Sequence, residues 1–198
     1  MWATKDFAAI HEIEGGSDRV IGVVAGAIVD DGLDEAVRKE FKGSDTRHAE
    51  KIRRNMFGVD EPLGSFGARI NLAYLAGLLT EEGHADLRII QKIRNSFAHL
   101  TETNTFDSQN VRAWCDNFRL IKQPRRITET GSIVTRADGR VHRIEVAGYS
   151  VGEKKIMLGI VGADEVLKTP KGKFVVTAKL FCAALEAYID GRIPKPMI

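Results

Sequence analysis

From Asp18 onward apolar residues recur at roughly helical spacing. Val20, Val23, Val24, Ala27, Ile28, Leu33, Val37 and Phe41 form one stripe, which predicts a long helix buried along that face. Ser17 or Asp18 can cap its start, and Lys42-Gly43 its end. Gly22, Gly26 and Gly32 lie inside it, each weakening helix propensity by about 1 kcal/mol relative to alanine. Packing must therefore dominate, and the four-residue spacing of Gly22 and Gly26 would let a neighbouring helix approach closely.

A short polar helix is expected from about Asp45 to Phe57, with Arg47, Lys51 and Arg54 on one stripe. Residues 58–64 are rich in turn formers. Ser65 can cap the next helix, with Phe66, Ile70, Ala73, Tyr74, Gly77 and Leu78 on one face. Another begins near Glu81 and carries Leu87, Ile90, Ile93, Phe97 and Leu100. Asp107 or Ser108 starts a further one, through Val111, Trp114, Cys115 and Phe118.

Pro124 changes the pattern. Ser132 to Thr135 and Val141 to Val146 are β-prone, and Ala137-Asp138-Gly139-Arg140 between them has a hairpin turn composition. Glu153 to Val161 reads equally as a third strand or a short helix. After Thr169-Pro170 the helical period returns, with Phe174, Ala178, Phe181, Leu185 and Tyr188 facing inward and Gly191 and Pro194 marking the end. The expectation is a mainly α bundle with a small, partly β insertion before the C-terminal helix. Residues 1–123 would be the helical core, 124–168 the insertion, and 169–198 the helix that completes the core.

Composition adds exclusions. The 198 residues are 43% hydrophobic and 28% charged, values of a folded rather than a disordered chain. A net charge of +2 makes local clusters more informative than the sum. Cys115 and Cys182 sit in helical segments without any CxxC or Cys/His spacing, so no disulfide framework, metal or cofactor is expected. Residues 1–14 lack a basic start followed by an apolar core, and no run approaches the ~20 apolar residues of a membrane span. A cytoplasmic protein with no membrane partner is expected.

Three stretches carry a family resemblance: Ser17-Asp18-Arg19-Val20; Pro62-Leu63-Gly64-Ser65-Phe66 with Ile70 to Leu79; and Asp86-Leu87 through Ile93-Arg94-Asn95-Ser96-Phe97-Ala98-His99. Thr105-Phe106-Asp107 and Thr169-Pro170 follow as later landmarks. Together they resemble the bacterial mannitol operon repressor family, a branch of the helical HEPN proteins, whose Arg-x4-6-His hallmark is matched by Arg94, Asn95 and His99. The resemblance implies a HEPN-like bundle and a transcriptional regulator acting as a dimeric interaction module. Its partners would be a second copy and a further protein in transcriptional control. The alternative it implies is a metal-independent endoribonuclease. There His99 would move a proton during attack of an RNA 2′-hydroxyl, Arg94 would stabilise the phosphorane charge, and Asn95 would orient groups.

Helix geometry constrains that motif. Asn95 and His99 lie about 40° apart on a regular helix, but Arg94 and His99 about 140° apart. The latter two converge only if the helix ends near Ala98 or a dimer brings two motifs together. A structural role is the alternative: Arg94 and Asn95 satisfying terminal carbonyls, and His99 favoured by the helix dipole and bonded towards the loop before Asp107. Two basic stretches could contact RNA or DNA phosphates, one with Arg47, Lys51 and Arg54, the other with Arg119, Lys122, Arg125 and Arg126; a solvated face is the plainer reading of each. No helix-turn-helix pattern occurs. Asp30, Asp31, Asp34 and Glu35 read as a solvated acidic patch that could also approach a partner's basic motif.

Overall fold

Five helices begin at a hydroxyl side chain that accepts a backbone N–H three residues on. Ser17, Thr46, Ser65, Thr80 and Thr169 accept from Val20, Ala49, Ala68, Gly83 and Gly172, satisfying donors that a helix start otherwise leaves orphaned. The computed structural model describes residues 5–43, 46–58, 60–99, 104–122, 125–126, 133–135, 141–151, 154–161, 166–193 and 195. Among them are seven α-helices: α1 (Lys5–Ile13), α2 (Asp18–Glu40), α3 (Arg47–Phe57), α4 (Phe66–Leu75), α5 (Glu81–Ala98), α6 (Gln109–Asp116) and α7 (Pro170–Ile189), with a 3-10 turn at Leu120–Lys122. The fold is mainly helical. Asp45, Leu100, Ser132, the 137–140 turn and Pro194 lie outside the described residues.

Between the 3-10 turn and α7 the backbone forms β1 (Arg125–Arg126), β2 (Ile133–Thr135), β3 (Val141–Val151) and β4 (Lys154–Val161). All pairings are antiparallel to β3. Arg125 stands opposite Gly148, Ile133 opposite Arg143, and Ile144 through Val151 opposite Val161 through Lys154.

Helix α7 is the centre of the core. From Pro170 to Tyr188 all residues except Lys171, Lys173 and Glu186 are buried. A helix apolar nearly all round must be enclosed by neighbours, whereas its period had suggested a single inward face. Helix α1, which was not expected, brings Ile10 into this core, and its Asp6 N–H donates to Glu186 Oε1 at 2.9 Å.

The buried face of α2 differs from the expected stripe. Ile21, Gly22, Ala25, Gly26, Val29, Leu33, Ala36 and Val37 face inward, while Val20 is 43% exposed, Val24 38% and Phe41 45%. The glycines decide the rotation. A Cβ at Gly22 would stand 2.2 Å from Cδ2 of Phe97, and one at Gly26 2.8 Å from Cβ of Arg94, so this face lets α5 come closer than any face carrying side chains. Gly77 is likewise not part of a helix face: α4 stops at Leu75, Gly77 follows with φ +71°, and Tyr74 is 42% exposed. Gly43 and Gly191 take positive φ after α2 and α7, as their stop positions predicted.

Gly22→Ala should destabilise the fold. The Cβ clash costs about 1–3 kcal/mol, and the gain in helix propensity of about 1 kcal/mol only partly offsets it. Urea unfolding should show a lower midpoint with an unchanged slope; a raised midpoint would contradict the packing described.

Candidate functional site

Several residues scattered along the sequence, Asp18, Arg19, Phe97, Ala98 and Phe106 among them, meet where α2 and α7 begin and α5 ends. Asp18, in the first turn of α2, accepts the backbone N–H of Phe106 at 3.0 Å and lies 3.6 Å from Lys171 Nζ. Arg19 donates to the carbonyl of Ala98 at 3.2 Å, closing the C-terminus of α5 with a cation where the helix dipole favours one. The Phe106 ring sits between Phe97 and Phe174, with centroids at 5.0 and 5.2 Å, tying α5 and α7 together by tilted aromatic contacts. Thr105 N–H donates to Ser108 Oγ at 2.9 Å.

Helix α5 ends at Ala98, so His99 leaves the helical spiral as its C-cap, with φ −69° and ψ 121°. Its N–H still donates to the Asn95 carbonyl at 3.3 Å. Arg94 Nη1 lies 3.4 Å from Asn95 Oδ1. Asn95 and His99 are exposed and Arg94 is half-buried. Among the described residues no hydrogen bond or ion pair joins the His99 ring to Arg94, to Asn95 or to the segment before Asp107. The three residues thus share one end of α5, with Arg94 and Asn95 in contact and His99 apart. The last carbonyl is capped by Arg19, not by Arg94 or Asn95.

The stem of Arg94 rests on Gly26, and its charge acts on Asp30, one turn further along α2. Asp30 is not part of a solvated patch: it is 6% exposed and accepts from Arg69 at 3.0 and 2.5 Å. Burial pushes its carboxyl above the usual carboxylate range, opposed by the Arg69 bonds and the fields of Arg69 and Arg94. Asp34 bonds to Arg38 at 2.5 Å, while its Oδ1 is buried 3.8 Å from Arg69 with no hydrogen-bond partner among the described residues. The acidic run therefore turns partly inward, because Arg69 on α4 is drawn into the core beside it.

A second buried carboxylate was not singled out from the sequence. Asp86 is fully buried and accepts the backbone N–H groups of Arg119, at 2.8 and 3.1 Å, and Leu120, at 2.9 Å. Burial raises its carboxyl to about 6 despite these bonds. It anchors the 3-10 turn onto α5. Its place in the run leading to Arg94 was the only available signal.

The basic stretches have different fates. Arg119 pairs with Glu81 at 3.3 Å and Lys122 is exposed; Arg125 and Arg126 belong to β1. Arg47, Lys51 and Arg54 are all exposed on α3. Comparison with protein-family models, curated protein sequences and solved structures found no match to this chain. The resemblance rests on the landmark residues themselves. No helix among the described residues is long and apolar enough to cross a membrane.

Arg69→Met, which strands the Asp30 carboxylate, should cost about 3–5 kcal/mol in urea unfolding, with part recovered by adding Asp30→Asn. Asp86 sets a pH dependence of defined sign. Its folded pKa of about 6 lies above the ordinary 3.8, so the folded state holds the extra proton and stability falls as pH rises through that window. Thermal melts of Asp86→Asn should lack this fall; parallel curves for the two proteins would contradict the assignment.

Proposed function

We propose that this chain is a mannitol operon repressor-like transcriptional regulator of the HEPN type, working in the cytoplasm as a dimeric helical interaction module. Residues 124–168 are, on this reading, a partly β insertion into the helical core. One observation supports the dimer above the rest: Val20 and Val24, one turn apart, are exposed on the outward side of α2, with Ala27 half-buried beside them. Two exposed valines one turn apart are apolar surface that a second helix could cover. The exposed valines lie on the same half of α2 as Gly22 and Gly26, which face Phe97 and Arg94 on the opposite side of the helix. A further regulatory protein is the partner such a module would serve.

The endoribonuclease reading is favoured by a different observation. His99 stands exposed at the end of α5, outside the helical spiral, beside the Arg94–Asn95 pair. In a dimer, the Arg94 of one copy and the His99 of the other could flank a phosphate, with the roles the resemblance implies.

Sedimentation equilibrium tests the first reading. The protein should run as a dimer and Val24→Asp as a monomer with unchanged far-UV circular dichroism; a monomeric wild-type protein would exclude the module as described. Incubation with total RNA in excess EDTA tests the second. Cleavage abolished by both Arg94→Ala and His99→Ala supports the nuclease, and RNA left intact at high protein concentration rules it out.

A further inference from the structure

The outward face of α3 is a concentrated positive surface with little internal use. Arg47, His48, Lys51, Arg54 and Asn55 are exposed and line one open, shallow depression. Among the described residues Arg47, His48 and Lys51 form no ion pair or side-chain hydrogen bond, and Arg54 meets only Glu50 at 3.3 Å on the same helix. Many other cations are paired within the fold, such as Lys171 with Asp18, Lys173 with Asp116 and Lys195 with Glu40.

The helix is held to the body by its other side. Phe57 is buried under the Arg38 guanidinium, 4.4 Å above its ring, and its carbonyl accepts from Arg38 at 3.2 Å. Arg53 donates to the Lys42 carbonyl, and Met56 accepts from Leu63 N–H at 2.8 Å. At 100° per residue, Arg53 lies about 160° and Phe57 about 120° from the centre of the arc that Arg47, His48, Lys51, Arg54 and Asn55 share. His48, Asn55 and Lys51 thus face away from the body, with Arg47 and Arg54 continuing the stripe on one flank and the exposed apolar residues Ile52 and Met56 on the other. A membrane-surface helix would instead present its apolar face outward with cations flanking it.

We propose that the outward face of α3 binds the phosphate backbone of nucleic acid without reading its sequence, Arg47, Lys51 and Arg54 each taking a phosphate. The spacing suits this ligand. Seven residues of helix cover about 10 Å, and one DNA strand places a phosphate every 3.4 Å or so along its axis, so three cations span about three phosphates. The polar filling of the depression, His48 and Asn55, adds hydrogen-bonding capacity without the groove-reading shape of a recognition helix. This surface goes beyond the dimer reading and stands on α3 alone.

Fluorescence polarisation of the full chain with short labelled duplex DNA and single-stranded RNA, across salt, tests it. The expected log–log salt slope is about −2 for the single strand and about −3 for the duplex. Arg47→Ala/Lys51→Ala should weaken binding more than tenfold at low salt and flatten the slope by about two-thirds, with thermal unfolding unchanged. The dimer-breaking Val24→Asp variant should keep the slope of the wild type, which separates failure of this surface from failure of the dimer. No binding at low salt, or equal binding by the α3 variant, overturns the proposal. So does α3-dependent capture by phosphatidylserine vesicles in place of oligonucleotides, which would assign the face to an anionic membrane.

Discussion

The approach of α5 onto α2 across two glycines is the contact on which the rest of the arrangement depends. With no Cβ at positions 22 and 26, the Phe97 ring and the Arg94 stem lie directly against the α2 backbone. That closeness sets the depth of Phe97, which in turn carries Phe106 and, through it, Phe174 on α7. It also brings the end of α5 within reach of Arg19 and places Arg94 where its charge acts on Asp30. Buried aromatic and charged groups tolerate little displacement, so one backbone contact positions most of the groups at this end of the bundle.

Charge is used in two ways. Inside, Asp30 and Asp86 are carboxylates whose burial opposes ionisation, and each is held by donors that another element supplies: a guanidinium from α4, and backbone N–H groups at the 3-10 turn. Such groups specify how helices dock more than they stabilise them, since desolvation consumes much of the Coulombic gain. Outside, on α3, Arg47 and Lys51 form no ion pair among the described residues, and Arg54 meets only Glu50 of its own helix. A surface that leaves adjacent positive charges uncompensated stays solvated until an anion arrives, whereas the paired cations of the core side have their counter-charges within the chain.

Much of the local structure was legible in the residues. The helix starts at Ser17, Ser65 and Thr169, the stops at Gly43 and Gly191, and the close-approach role of Gly22 and Gly26 all follow from short-range chemistry that needs only neighbours in sequence. What misled was the apolar stripe of α2. Periodicity identifies a face rich in valine and alanine but does not say which neighbour covers it, and Gly22 and Gly26 carried no weight in a hydrophobic pattern. Asp30 and Asp86 were hidden for a related reason: a carboxylate is buried only when a donor arrives from a segment 33 to 39 residues away.

The sequence by itself determined the starts of α2, α4 and α7, the stops at Gly43 and Gly191, and that α2 would accept a close neighbour. Each of these rests on interactions within a few residues. Only the tertiary structure decided which side of α2 faces the core, that Val20 and Val24 are left outside, and that the basic stripe of α3 is left exposed. Those outcomes depend on how rigid helices pack around α7, a competition among distant contacts that no local pattern records.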